Sequence, residues 1–129
     1  MTTKISELER LTQKHYDKLV ETANTFHSDN PYMQEFVNHL LYDYLYDINA
    51  IYKETTVQEL AQELGGMRAY RQALTFDLDN LDLIVKVATQ VFYNSQAEIT
   101  SYSEDPTETN DISREYLSDF YKIYNEYLN

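Results

Sequence analysis

The chain has 129 residues, enough for one domain with a single buried core and no covalent staples. It contains no cysteine, which excludes disulfides, thiolate metal sites and a thiol nucleophile. Its formal charge of −12 opposes direct non-specific binding to DNA, RNA or an anionic membrane. Twelve charges correspond to about 20 Å of duplex DNA. A domain of this size is roughly 35 Å across, so the charge can imitate a short nucleic acid if it gathers on one side.

The opening residues, MTTKISELERLTQKHYDKL, are charged and amphipathic, without the apolar core of a signal peptide. No run approaches the ~20 apolar residues that span a bilayer. The expectation is a soluble, cytoplasmic chain with no membrane partner. A first helix is predicted over residues 3–26, with Ile5, Leu8, Leu11, Leu19, Ala23 and Phe26 on one face. A second is predicted over 31–54, with Asn30 as N-cap and Pro31 at the first helical position, where a missing N–H costs nothing. On its apolar half lie Met33, Phe36, Val37, Leu40, Leu41, Tyr44, Leu45, Ile48, Ile51 and Tyr52. Tyr42 and Tyr46 fall on the opposite half, with Asp43 and Asp47 near one boundary.

A capping box at Thr56 to Glu59 opens a short helix over 57–64, and Gly65-Gly66, the only glycines in the chain, end it. Another short helix follows over 67–74, then a loop over 75–80. Residues 81–93 are apolar around most of the helical circumference and are predicted to be the central helix. The β-branched cluster Ile84, Val85 and Val87 also permits a short strand at 83–87. Residues 99–110 read as a mobile acidic loop, and 111–128 as the last helix, with Glu115, Asp119 and Glu126 striping its polar side. The predicted fold is therefore all-α: a compact single-domain bundle of five or six helices.

Residues 56–74, TVQELAQELGGMRAYRQAL, resemble the helix-turn-helix of DNA-binding domains, with Leu60, Ala61, Leu64, Gly65 and Leu74 at the matching positions. The match departs at Gly66, where an apolar residue should pack, and at Arg71, which falls at an inward position. Arg68 and Arg71 are its only cations, whereas a DNA reader sits in a basic field. A plain helical hairpin packing Leu60, Leu64, Met67, Tyr70 and Leu74 accounts for the same residues. Glu35, His39 and Asp43 recur one turn apart, but a metal site needs further strong ligands and outer support, and a solvated helix flank explains the spacing. There is no glycine-rich phosphate cradle and no serine in a nucleophile elbow, so no enzyme chemistry, cofactor or metal is expected.

The compositional anomaly is tyrosine: thirteen, with five phenylalanines and no tryptophan. Tyr44, Tyr52, Tyr116, Tyr124 and Tyr127 are expected to pack their rings in the core. Tyr42, Tyr46, Tyr93 and Tyr121 fall on or beside polar faces, where tyrosine supplies contact area with few rotors. Charge is uneven: residues 1–27 and 57–76 are neutral, whereas 28–56 sum to −4, 77–98 to −3 and 99–129 to −5.

Together these features predict a non-enzymatic inhibitor. It would use Tyr42, Asp43, Tyr46, Asp47, Glu115, Asp119 and Glu126 to occupy the basic site of a nucleic-acid-binding protein such as a nuclease. Small acidic anti-restriction and anti-CRISPR proteins of phages and mobile elements act this way, and the chain is similar to them in size and charge only. The alternatives are a helix-turn-helix regulator using Arg68 and Arg71 on DNA, and an immunity-type or structural helical interaction protein. A homodimer is the remaining partner expectation.

Overall fold

A computed structural model describes residues 2–48, 62 and 65–128. Its elements are α1 (Thr2–Thr25), α2 (Pro31–Ile48), α3 (Met67–Asp79), α4 (Leu81–Asn94), α5 (Gln96–Ser101), two 3₁₀ turns (Pro106–Asp111 and Ser113–Tyr116) and α6 (Leu117–Leu128). The fold is all-α. No strand occurs among the described residues, and positions 83–87 lie within α4.

The start of α2 follows from its sequence. The Asn30 side chain accepts hydrogen bonds from the backbone N–H of Tyr32 (3.0 Å) and Met33 (3.4 Å), and Pro31 occupies the position that needs no donor. Gln34 then ties the α1–α2 turn together, donating to the Phe26 carbonyl (3.0 Å) and accepting from the Ser28 N–H (2.7 Å). Asn38 donates to the Ala23 carbonyl at 2.7 Å. These bonds satisfy groups left open at a helix end and fix where α1 leaves α2.

The sequence expectation put residues 81–93 at the centre, but α2 holds that place. It buries Met33, Phe36, Val37, Leu40, Leu41, Asp43, Tyr44, Leu45 and Ile48, and it packs against α1, α4, α6 and both 3₁₀ turns. Helix α4 buries only Ile84, Val87, Ala88, Val91 and Phe92, and keeps Asp82, Lys86, Gln90 and Tyr93 exposed. Its one-sided burial is the ordinary amphipathic arrangement. Rings fill the middle: Phe36 meets Tyr116 edge-on at 5.3 Å, and Tyr44 lies 4.8 Å from Phe120. Tyr44, Tyr116 and Tyr124 are buried, whereas Tyr127, expected in the core, is 50% exposed. Tyr52 lies outside the described residues, as do residues 49–54 of the predicted second helix.

Two predicted loops are helical instead. Residues 75–79 continue α3, because Tyr70, Leu74 and Asp77 share one face and all three are buried. The acidic segment at 99–110 is built from the end of α5, a bend and a 3₁₀ turn. Asp105 caps that turn by accepting from the Thr107 N–H (3.0 Å) ahead of Pro106, and the Tyr32 hydroxyl holds the bend through the carbonyls of Ser103 (3.2 Å) and Glu104 (3.0 Å). Thr109 is fully buried. Turn chemistry and α2 thus pin a stretch that composition alone reads as irregular. The last helix begins late for a related reason: buried Ile112, Ser113 and Tyr116 are set by the two tighter 3₁₀ turns before α6.

Gly65 and Gly66 adopt φ of +99° and +109°, a region that L side chains rarely enter. A Cβ on Gly66 would meet nothing within 4 Å. Gly66→Ala should therefore cost about 1–3 kcal/mol through backbone strain alone. Urea denaturation checks this, and an unchanged midpoint would mean that the turn relaxes freely.

Candidate functional site

The four α2 residues singled out by the sequence do not act as one surface. Asp43 is 6% exposed, because the 3₁₀ turn at Ser113–Tyr116 packs on the flank of α2 that carries it. The Ser113 hydroxyl donates to Asp43 Oδ2 at 2.6 Å, and His39 Nδ1 lies 2.6 Å from Ser113 Oγ and 3.3 Å from Asp43 Oδ2. Asp47 is half-buried. It accepts the Tyr121 hydroxyl and lies 3.6 Å from the Arg114 guanidinium. Burial, then the hydrogen bond to Asp47, holds the Tyr121 phenol well above its usual range. Both carboxylates are taken up in holding the C-terminal segment on α2, Asp43 almost fully buried and Asp47 half-buried.

The tyrosines beside them face outward. Tyr42 and Tyr46 rings lie 5.9 Å apart, Tyr46 is 39% exposed, and Tyr42 is half-buried with its hydroxyl on Asn24. Burial, then the neighbouring Tyr16, Tyr42 and Asp43, raises the Tyr46 phenol above its ordinary value.

Ser113, His39 and Asp43 bring together the three residue types of a hydrolytic triad, but in the wrong arrangement. A triad imidazole uses one ring nitrogen for the serine and the other for the carboxylate. Here Nδ1 meets both, and Ser113 Oγ, on a fully buried residue, is already donating to Asp43. The cluster joins α2 to the 3₁₀ turn. No group of three metal-ligating side chains occurs among the described residues, and His39 and Asp43 both contact Ser113.

The other predicted carboxylates, Glu115, Asp119 and Glu126, are all exposed. They belong to a longer acidic stretch of exposed residues that the sequence reading divided between a loop and a helix. From Glu98 to Glu126 the chain also carries Glu104, Asp105, Glu108 and Asp111, every one exposed, against only Arg114 and Lys122. Arg114 is itself paired with Asp47. Tyr102 and Tyr127, 47% and 50% exposed, lie in the same third of the chain. Asp119, Lys122 and Glu126 border a groove of about 220 Å³ whose floor includes Val91 and Ile123. Tyr102 was legible as a tyrosine among acids, but it was hidden in a segment read as loop.

Arg68 and Arg71 are exposed on α3. Arg71, expected to point inward in a helix-turn-helix, instead lies 4.0 Å from Glu7 of α1 across a solvated gap. The first half of that motif, 56–61 with 63–64, lies outside the described residues.

The most polar part of the interior was missed. Asp77 of α3 is 2% exposed and accepts from His15 Nε2 of α1 (2.7 Å), Tyr44 Oη of α2 (2.7 Å) and Tyr124 Oη of α6 (2.6 Å). The carboxylate only accepts, so His15 carries its proton on Nε2, and buried Nδ1 makes no hydrogen bond. Burial, then Asp77, pushes the Tyr44 and Tyr124 phenols well above their usual range. Next to this network, Thr12 Oγ1 and Tyr70 Oη lie 3.2 Å apart. The network joins four helices inside the core, where its chemistry can fix packing but cannot meet a substrate.

Among the described residues no helix is long and apolar enough to cross a membrane. Compared with protein families, curated proteins and solved structures, the chain matches none.

Proposed function

We propose that the chain is a non-enzymatic binding protein whose acidic C-terminal third occupies a basic, nucleic-acid-binding site on another protein. In this role it inhibits a nuclease or similar enzyme in the manner of a phage-type DNA mimic. One observation carries the reading: eight exposed carboxylates between Glu98 and Glu126 stand against two cations, one of them paired internally. Charge of one sign on one stretch of surface steers a basic partner and raises its association rate. Tyr102 and Tyr127 supply rigid, amphipathic area beside the carboxylates, and tyrosine with carboxylate suits arginine through stacking and charge-assisted hydrogen bonds. The contact surface is Tyr102, Glu104, Asp105, Glu108, Glu115, Asp119 and Glu126, in place of the α2 pair Asp43 and Asp47.

Captured on the immobilised chain from a host extract, a nucleic-acid-binding protein should be released as salt rises and displaced by duplex DNA. Combined Glu115→Lys, Asp119→Lys and Glu126→Lys should weaken its binding by at least about tenfold, with circular dichroism unchanged. Capture indifferent to salt and to these changes would overturn the proposal. Direct DNA binding lost on Arg68→Ala and Arg71→Ala would replace it with the helix-turn-helix regulator. Self-association alone would leave an interaction protein without this target.

A further inference from the structure

We propose that a pocket between α1 and the start of α3 binds a small amphipathic anion, with an apolar body and a carboxylate or phosphate head. This site is separate from the acidic surface. The pocket has a volume of about 340 Å³, and the described residues lining it are Leu8, Met67, Arg68 and Arg71. That is within the roughly 300–1,000 Å³ of small-molecule sites.

The lining combines two chemistries. Leu8 and Met67 offer an apolar wall. Arg68 and Arg71, three residues apart on one helix, bring two guanidiniums to the same side of α3. Guanidinium binds carboxylate and phosphate through paired, charge-assisted hydrogen bonds, and its flat face also tolerates apolar neighbours.

Among the described residues, little competes for these cations. The chain has 22 acidic residues and 10 basic ones, so most of its cations have carboxylates to spare. Among the described residues, however, Arg68 makes no ion pair, and Arg71 reaches only the exposed Glu7, at 4.0 Å. A carboxylate head would displace that loose contact at little cost, since solvated pairs of this kind contribute at most about 1 kcal/mol. Nothing in the first turn of α3 competes for the positive charge: Gly66 provides no capping side chain, and no acidic residue stands there. The orphan N–H groups of that turn add to the field of the two arginines. A hydrophilic anion would leave the Leu8–Met67 wall unused, and a neutral apolar molecule would leave the arginines unused.

Calorimetric titration of the full chain at neutral pH and low salt tests this with four probes: octanoate, octyl phosphate, octanol and acetate. Saturable binding of octanoate or octyl phosphate is expected, with octanol and acetate at least about tenfold weaker. Whichever anion binds more tightly identifies the head group as carboxylate or phosphate. The double variant Arg68→Gln with Arg71→Gln should lose that tenfold preference, and Met67→Glu should weaken both anions. Arg68 and Arg71 are exposed, so circular dichroism of the double variant should be unchanged. The site is overturned if octanol binds as tightly as the anions, if acetate matches octanoate, or if the double variant binds as the parent does. Binding of duplex DNA but of none of the four probes would likewise overturn it.

Discussion

Asp77→Ala should lower the unfolding free energy by about 3–5 kcal/mol, a large share of the 5–15 kcal/mol typical of a domain. The substitution takes the only acceptor from three buried donors: His15 Nε2, Tyr44 Oη and Tyr124 Oη. Each donor left unpaired in the core costs about 1–3 kcal/mol, partly offset because a buried carboxylate no longer has to be desolvated. The donors come from α1, α2 and α6, so the loss loosens the packing of α3 against three other helices at once. Asp77→Asn should fall between the two, since its amide keeps one acceptor oxygen but turns an NH₂ toward donors. In a double-mutant cycle, Asp77→Ala with Tyr124→Phe should show a coupling above about 1 kcal/mol. Urea denaturation followed by circular dichroism measures all five proteins. An Asp77→Ala midpoint within about 0.5 kcal/mol of the parent would mean that water replaces the carboxylate.

Helix starts and apolar faces were legible because they depend on neighbours in sequence. Asn30-Pro31 announces α2 by local chemistry, and the apolar residues from Met33 to Ile48 at helical spacing are the ones it buries. The polar interior was not legible, because its partners lie far away along the chain. Asp43 and Asp47 look like boundary residues until Ser113, Arg114 and Tyr121, some seventy positions on, close over them. Asp77 was lost for another reason: with residues 75–80 read as loop, it had no face to share with Tyr70 and Leu74. Had the helix been carried to Asp79, the i, i+4, i+7 spacing would have set a carboxylate on an apolar stripe and flagged it for a buried partner. His15 falls on the apolar side of α1 by the same spacing, beside Leu8, Leu11 and Leu19. The acidic surface was legible as charge but not as shape. Composition gave −5 to residues 99–129, and only the capped 3₁₀ turn and the Tyr32 bonds show that the stretch is seated on α2.

Raising the pH from 9 to 11 should remove about 4 kcal/mol of stability, so the chain should unfold between about pH 11 and 12. Tyr44, Tyr121 and Tyr124 are buried or half-buried phenols that donate to Asp77 or Asp47, and burial followed by those carboxylates raises all three well above the ordinary value of 10. A group whose folded pKa is raised contributes stability that is complete below the unfolded pKa and is lost as pH climbs toward the folded one. Above pH 10 the unfolded chain releases these protons while the folded chain keeps them, so stability falls with pH. At pH 11 each phenol contributes about 1.4 kcal/mol to that loss, and three give the total. Tyr116, raised by burial and then by Glu98, acts in the same direction. Urea midpoints at pH 9, 10 and 11 measure the slope, and tyrosinate absorbance near 295 nm should gain a late component that rises together with the loss of helicity. Tyr124→Phe separates the hydrogen bond from the titration. It should cost about 1 kcal/mol at neutral pH, yet reduce the alkaline slope by roughly a third, because one proton fewer is released on unfolding. A helical signal and urea midpoint unchanged to pH 11 would show that these phenols ionise in place, and that Asp77 and Asp47 do not hold their protons.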